Sequence, residues 1–287
     1  MDLIPILIAV PALMAVILPF IREVKIRGIV VYIGAGCVMI LSLITLGVWI
    51  AGGAQTQHLY LNTELVDHAM TVVDLFLMCL IIYMGVKYRR ILVILLSIAQ
   101  TGLLMYVEFT AQMPEGYHMM VDGLSMLMCM IIAIVGSLIC IYAVGYMKGY
   151  HHHHKEFKDR QPFFFSMLFL FLSAMFGLVL SQSLIWMYFF WEITSVISFL
   201  LIGYTRTTEA IHNSFTALWM NLLGGLGFSV AIALLAFNIG SVQLSDAITA
   251  GSALPLACLA LAGLTKSAQL PFSSWLLGAM VAPTPSS

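Results

Sequence analysis

The chain alternates long apolar runs with short polar breaks, and the runs are too long and too continuous for the core of a soluble domain. A membrane span needs about 20 mostly apolar residues. The pattern predicts nine such spans: Leu3–Phe20, Gly28–Ile50, Met70–Val86, Ile91–Val107, Met119–Met147, Pro162–Leu180, Leu184–Gly203, Ser214–Phe237 and Leu254–Leu270. A further apolar stretch, Phe272–Val281, follows directly after Pro271. No segment carries a strand signal, and an open sheet could not satisfy its backbone in lipid. The expected fold class is all-α, a polytopic transmembrane helix bundle of about nine spans with the last one broken at Pro271. No linker, repeat or low-complexity boundary stands out, and the longest polar stretch is Lys148–Gln161.

Composition agrees with a chain of little soluble mass. It is 62% hydrophobic and 9% charged, against about 25% charged for soluble domains, with a mean hydropathy of +1.04. The net charge of −1 suggests no nucleic-acid partner. The five cysteines (Cys37, Cys79, Cys129, Cys140 and Cys258) are singletons in apolar runs, so neither disulfides nor a zinc or iron–sulfur site is expected. Met1–Phe20 lacks a basic start and a small-residue cleavage site, and reads as the first span rather than a signal peptide.

Charge changes the picture by giving a direction. With the N-terminus outside and the spans threaded alternately, the inside loops hold Arg22, Lys25, Arg27, Lys87, Arg89, Arg90, Lys148, Lys155, Lys158, Arg160 and Arg206. Those are eleven of the twelve basic residues, as the positive-inside rule requires. The outside segments carry Glu64, Asp67, Glu108, Glu115 and Asp246. The expected location is therefore the cell (plasma or inner) membrane, multi-pass, with basic loops cytoplasmic.

The twelfth basic residue is Lys266, inside the apolar run LPLACLALAGLTKSAQL. A lone ammonium at membrane depth costs about 2.5–3.5 kcal/mol on insertion scales, which favours a partner. Glu192, in the run LIWMYFFWEITSVISFLLIG, is as misplaced and of opposite sign. Burial favours the neutral form of either group and a nearby opposite charge favours the charged form. Such a pair can be switched, which is what a proton relay needs. The competing reading is a static ion pair that only orders the helices. Pro271 falls just after Lys266, and proline removes a helical hydrogen bond. Broken helices leave free backbone groups at the midplane of transporters, and Ser267 and Gln269 would add side-chain partners at this break.

Other polar residues have blander readings. Asp74, close to the outer end of the third span, reads as an interfacial carboxylate. Asp122 precedes the fifth span, where an acid at a helix N-terminus is favoured by the dipole. His212 and Asn213 open the eighth span on the inside, and an interfacial role competes with proton entry for His212. His151–His154 sits in an inside loop, and no metal site is expected there. Gly224, Gly225 and Gly227 suit close helix packing and lack the strand context of a nucleotide loop.

Three stretches carry a family resemblance: Asp122-Gly123-Leu124-Ser125, Trp191-Glu192 within Leu184–Gly203, and above all GLTKSAQLPFSSWLLGAMVAPTP at Gly263–Pro285. They resemble the antiporter-like subunits of respiratory complex I, of Mrp-type Na⁺/H⁺ antiporters and of energy-converting [NiFe] hydrogenases and formate hydrogenlyase. The resemblance runs from about Val121 to the C-terminus. It implies that Glu192 and Lys266 form a proton-conducting pair in one half-channel and that the lysine helix breaks at Pro271. It divides the chain into N-terminal membrane helices over 1–118, with an added hairpin over 70–107, and a first antiporter-like half-channel over 119–287, truncated at its C-terminal end. The hairpin departs from the complex I member, as does Gly224-Gly225 where an acidic residue is expected. That second departure leans toward the hydrogenase-type or Mrp-type branches.

The leading expectation is a proton- or Na⁺-translocating subunit of a redox-driven complex. It carries no cofactor of its own, since no haem, flavin, quinone or cluster motif is present. Its partners would be other membrane subunits, a peripheral redox arm and the lipid bilayer. Whether such a subunit counts as an enzyme stays open. The alternatives are a Mrp-type antiporter component without redox partners, and a non-conducting scaffold subunit.

Overall fold

A computed structural model describes residues 3–60, 64–111, 116–154 and 156–287. Glu115 and Lys155, two of the charged residues that set the direction of threading, lie outside the described residues, as does the side chain of Glu64.

The apolar runs form helices in the order expected. They are α1 (Leu3–Ile17), α2 (Val24–Ala51), α3 (Glu64–Lys87), α4 (Ile91–Thr110), α5 and α6 (Gly123–Ile131 and Ser137–His153), α7 (Gln161–Leu180), α8 (Leu184–Ile202) and α9 (Thr208–Asn238). A single π-helical turn, Ile132–Gly136, joins α5 to α6, so the two form one continuous span, Gly123–His153. Asp122 caps it: its Oδ1 accepts from Ser125 N at 2.7 Å, and Ser125 Oγ accepts from Asp122 N at 2.8 Å. The chain is thus a polytopic helical bundle, with eight helices of membrane-spanning length among the described residues.

The ninth apolar run behaves differently. Its helix is α11 (Ala253–Lys266), preceded by the short α10 (Leu244–Ala250) ahead of the run. At 14 residues and 1.5 Å per residue, α11 is about 21 Å long, short of a full crossing. It ends at Lys266, before the proline. Ser267 caps it, Ala268 takes a positive φ of 53°, and the chain turns through a cis Leu270–Pro271 bond into α12 (Ser274–Gly278). The break therefore opens at Ser267 and spans several residues, instead of falling at Pro271 alone.

Two short strands, β1 (Gln57–Leu59) and β2 (Met119–Val121), pair antiparallel, a feature the hydropathy pattern did not announce. They satisfy their backbone outside the apolar spans. Met119 bridges to Ser181 and Ser183 bridges to Gln243, and Leu184 N donates to Val242 O at 2.9 Å. This ladder ties together, on one face, the segments beside the ends of α2, α7 and α9 and the starts of α5 and α8. The opposite helix ends run into the loops that carry Arg22, Arg89, Arg160 and Arg206.

The core sits around α7, α8 and α9, which pack in sequence, with α1 against α7, and α4 and α11 against α9. Phe164, Phe169, Phe176 and Tyr188 are almost fully buried there. Polar groups at depth are used as ties. Ser166 and Ser173 donate to Ala15 O and Ile8 O at 2.6 and 2.8 Å. Arg27, expected in a loop, lies in the first turn of α2. It is buried and donates to Gln161 Oε1 at 2.8 Å, because α2 starts earlier than the hydropathy boundary.

Candidate functional site: a buried carboxylate beside a broken helix

Glu192 and Ser195 lie three residues apart on α8, so they share one face of it. That face meets α9 and the end of α11. Close approach there depends on glycine. A Cβ on Gly224 would collide with Thr265 Oγ1 of α11, and one on Gly227 would sit 3.2 Å from Cys258 O. The small-residue reading of this stretch is thus seen as direct helix contact. It brings the C-terminal end of α11 against α8.

Lys266 Nζ donates to Ser195 Oγ at 2.8 Å and to Trp191 O at 3.3 Å, and lies 4.9 Å above the Trp191 ring. The α11 end is further held by Trp275, whose Nε1 donates to Thr265 O at 2.9 Å. Trp275 belongs to α12, so the broken segment folds back and adds a side-chain donor to a carbonyl that Ala268 N also reaches at 3.3 Å.

Glu192 is 5% exposed. Its Oε1 accepts from Gln100 Nε2 of α4 at 3.0 Å. Among the described residues, no ion pair within 4.0 Å joins Glu192 to Lys266. The two charges still feel each other, but each is held by neutral dipoles. The structure thus brings the two residues to one helix interface without the direct contact expected from their signs. Buried Tyr188 lies one turn away on α8, its hydroxyl near Glu192 and without a partner in hydrogen-bonding geometry.

The accessory residues separate. Ser267 is exposed and donates to Gly263 O at 2.7 Å. Gln269 is exposed on the break, and its backbone carbonyl accepts from Phe272 N at 2.6 Å. His212 is exposed near the start of α9, while its neighbour Asn213 donates to Gly278 O of α12 at 3.1 Å. His151 and His154 turn to different partners, Tyr204 Oη at 2.9 Å and Glu156 Oε1 at 3.0 Å.

Sequence reasoning missed three contributors. Ser195 had a usable signal, a hydroxyl one turn from Glu192. Gln100 had only its polarity within an apolar run. Asp74, read as interfacial, is 8% exposed. It also lies further along its helix than the hydropathy boundary implied, because α3 starts at Glu64 rather than Met70, and α3 packs on α4 and α8, a lateral cover that removes it from the interface.

Fold and site together define a multi-pass membrane protein with an ionisable pair at a broken helix. Family comparisons place it further. Residues 181–287 match the family described as NADH:quinone oxidoreductase/Mrp antiporter, TM. Residues 111–157 match the complex I chain 5 N-terminus family. The chain belongs to this antiporter-like membrane-subunit family. Curated relatives include the probable K(+)/H(+) antiporter A/B subunit of Rhizobium meliloti (strain 1021), 34% identical over 66% of this chain and 19% of the relative. The Na(+)/H(+) antiporter A1 subunit of Staphylococcus haemolyticus (strain JCSC1435) is 35% identical over 67% and 24%. The chain thus spans about a fifth to a quarter of the relatives' length. Among solved structures, the archaeal membrane-bound sulfane sulfur reductase aligns with a TM-score of 0.58 at 16% identity, over 99% of this chain and 49% of that one. The Mrp complex from Dietzia sp. DQ12-45-1b aligns with a TM-score of 0.51 at 24% identity, over 76% and 25%. At these identities the structural likenesses concern the fold alone.

Proposed function

We propose that the chain is a cation-translocating subunit of a larger membrane complex, in which Glu192 and Lys266 carry protons in turn. The observation behind this reading is the way the pair is held. Glu192 is bound by Gln100 and Lys266 by Ser195 and a backbone carbonyl, and the two are not bound to each other. A buried ion pair in direct contact resists separation, because removing one partner leaves a bare charge at a cost of about 3–5 kcal/mol. A pair solvated separately by neutral donors and acceptors can exchange a proton without breaking such a bond. The break places Lys266 at the last residue of a short helix, beside the non-helical segment that follows.

Cation/proton antiport of the Mrp type is the driving process we favour, because the relatives belong to antiporters. A redox-driven complex is the second reading, supported by the alignment of nearly the whole chain with part of a respiratory membrane complex. In either case the basic-loop face is cytoplasmic by the charge partition, and the membrane is the plasma membrane. The test is cation-coupled proton flux in vesicles holding the assembled complex with Glu192→Gln or Lys266→Ala. Both should lose flux by roughly tenfold or more, equivalent to at least about 1.4 kcal/mol. Normal flux from both assembled variants would leave only the scaffold reading.

A further inference from the structure

The α3–α4 hairpin lies outside the two stretches that match the family models, yet it builds part of the Glu192 site. Gln100 is fully buried and donates to Glu192. Gly225 makes room for it, since a Cβ there would strike Gln100 Oε1 and lie 3.0 Å from Glu192 Oε1. The hairpin side chain thus occupies the space beside the carboxylate that a larger α9 residue would take.

On the ladder face, a cavity of about 550 Å³ opens between the hairpin and α8. His118, Ser183 and Gln243 stand at its rim, beside the paired backbone of that face. Asp67 and Glu108 also line it near the helix ends, three residues into α3 and two before the end of α4. Asp67 Oδ1 is anchored by Trp186 Nε1 at 2.9 Å. Asp74 lies deeper, ten residues into α3, which is about 15 Å along the helix. Glu192 lies eight residues into α8 from the same face, about 12 Å. The two carboxylates are therefore in one layer.

Asp74 is the informative member. It lines the cavity, is more than nine-tenths buried, and its Oδ1 has no hydrogen-bond partner. Most buried polar atoms are paired, so a carboxylate beside a cavity with one oxygen enclosed and unpaired keeps acceptor capacity for a ligand. Its charge interacts with those of Glu192 and Glu108, on either side of it. The titratable groups around it are Asp67, His68, Glu108, His118, Tyr188 and Glu192, and among the described residues no lysine or arginine lines the cavity.

We infer that the α3–α4 hairpin forms a cation-access vestibule on the ladder face and that Asp74 is the acceptor through which a monovalent cation, a proton or an alkali ion, passes to or from Glu192. This rests on the function proposed above. It adds a route on the face opposite the basic loops, whose α3–α4 wall, Asp74 included, lies outside the matched family regions.

The test uses the assembled complex in vesicles of both orientations, with Asp74→Asn and Asp74→Glu. Asp74→Asn should raise the half-saturating cation concentration at the ladder face by roughly tenfold, leave the value at the basic-loop face unchanged, and be rescued by Asp74→Glu. Titrating protons at constant alkali ion, then the reverse, identifies which cation uses the route. A second measurement covers poor assembly of the aspartate variants: Thr71→Cys, on the cavity wall, should react with a membrane-impermeant thiol reagent only from the ladder face, above the wild-type background. Unchanged affinity in Asp74→Asn, an equal change at both faces, or labelling from the basic-loop face would overturn the vestibule. Normal flux in both Glu192→Gln and Lys266→Ala would instead overturn the proposed function, while the vestibule is judged on Asp74 and Thr71 alone.

Discussion

The α8–α9 pair and the α3–α4 hairpin are comparably apolar, but they meet their surroundings in opposite ways. Of their most apolar stretches, 72% of residues are buried in α8 and in α9, against 22% in α3 and 33% in α4. The core pair buries apolar and polar residues alike. The hairpin exposes most of its apolar side chains, including Val72, Phe76, Leu95 and Ile98, while it buries Asp74, Ser97, Gln100 and Thr101. In lipid this inversion is the expected one, since a polar side chain costs least where protein or water can satisfy it. The hairpin is therefore sorted by face toward the Glu192 site rather than packed as filler.

The comparison is tested most severely at the core. Glu192→Gln and Lys266→Ala should each reduce proton flux by roughly tenfold or more, with the complex assembled. Equal flux in both would mean that the core pair orders helices and carries nothing. Next comes the seam between the two regions. Gly225→Ala inserts a methyl where Gln100 and Glu192 already meet, and overpacking of this kind costs about 1–3 kcal/mol. Thermal unfolding of the purified complex should fall by a few degrees, with flux reduced. If it does neither, Gln100 has room that the close approach denies.

From the hairpin side, Asp74→Asn should alter cation affinity at one face only. Gln100→Ala removes the donor to Glu192, and interhelical hydrogen bonds in membranes contribute about 0.6–1.7 kcal/mol. Flux should fall several-fold, less than for Glu192→Gln, because Glu192 itself remains. A null effect of Gln100→Ala would separate the hairpin from the site and leave it as a bystander.

The sequence pattern made the spans legible because each is a continuous apolar run, and it made the cap at Asp122 and the glycine contacts of α9 legible because both are local. Lys266 stood out because a single charge in such a run is costly. What it could not supply were contacts between distant segments. Gln100 and Glu192 are 92 positions apart, and nothing in either run names the other. Pairing by sign suggested that Lys266 would touch Glu192. The hydroxyl of Ser195 and the Trp191 carbonyl proved nearer, since helix ends and hydroxyls offer acceptors that a charge count ignores. Asp74 failed for a related reason: distance along a helix measures depth, but only packing tells whether lipid headgroups or protein surround a residue.

The smallest effect is expected from Ile98→Ala, two residues from Gln100 on the other side of α4. Ile98 is 50% exposed, so truncation leaves no cavity for the protein to close, and surface changes of this kind usually fall within about 0.5 kcal/mol. Flux and thermal stability should match the wild type. The value of this variant lies in its pairing with Gln100→Ala, since the two changes sit on one helix at nearly one depth and differ only in the face they alter. If Ile98→Ala harms the assembled complex as much as Gln100→Ala, the outer face of the hairpin is not bathed in lipid. A neighbouring protein of the complex would then cover it, and the inversion between core and hairpin would belong to the isolated chain rather than to the complex.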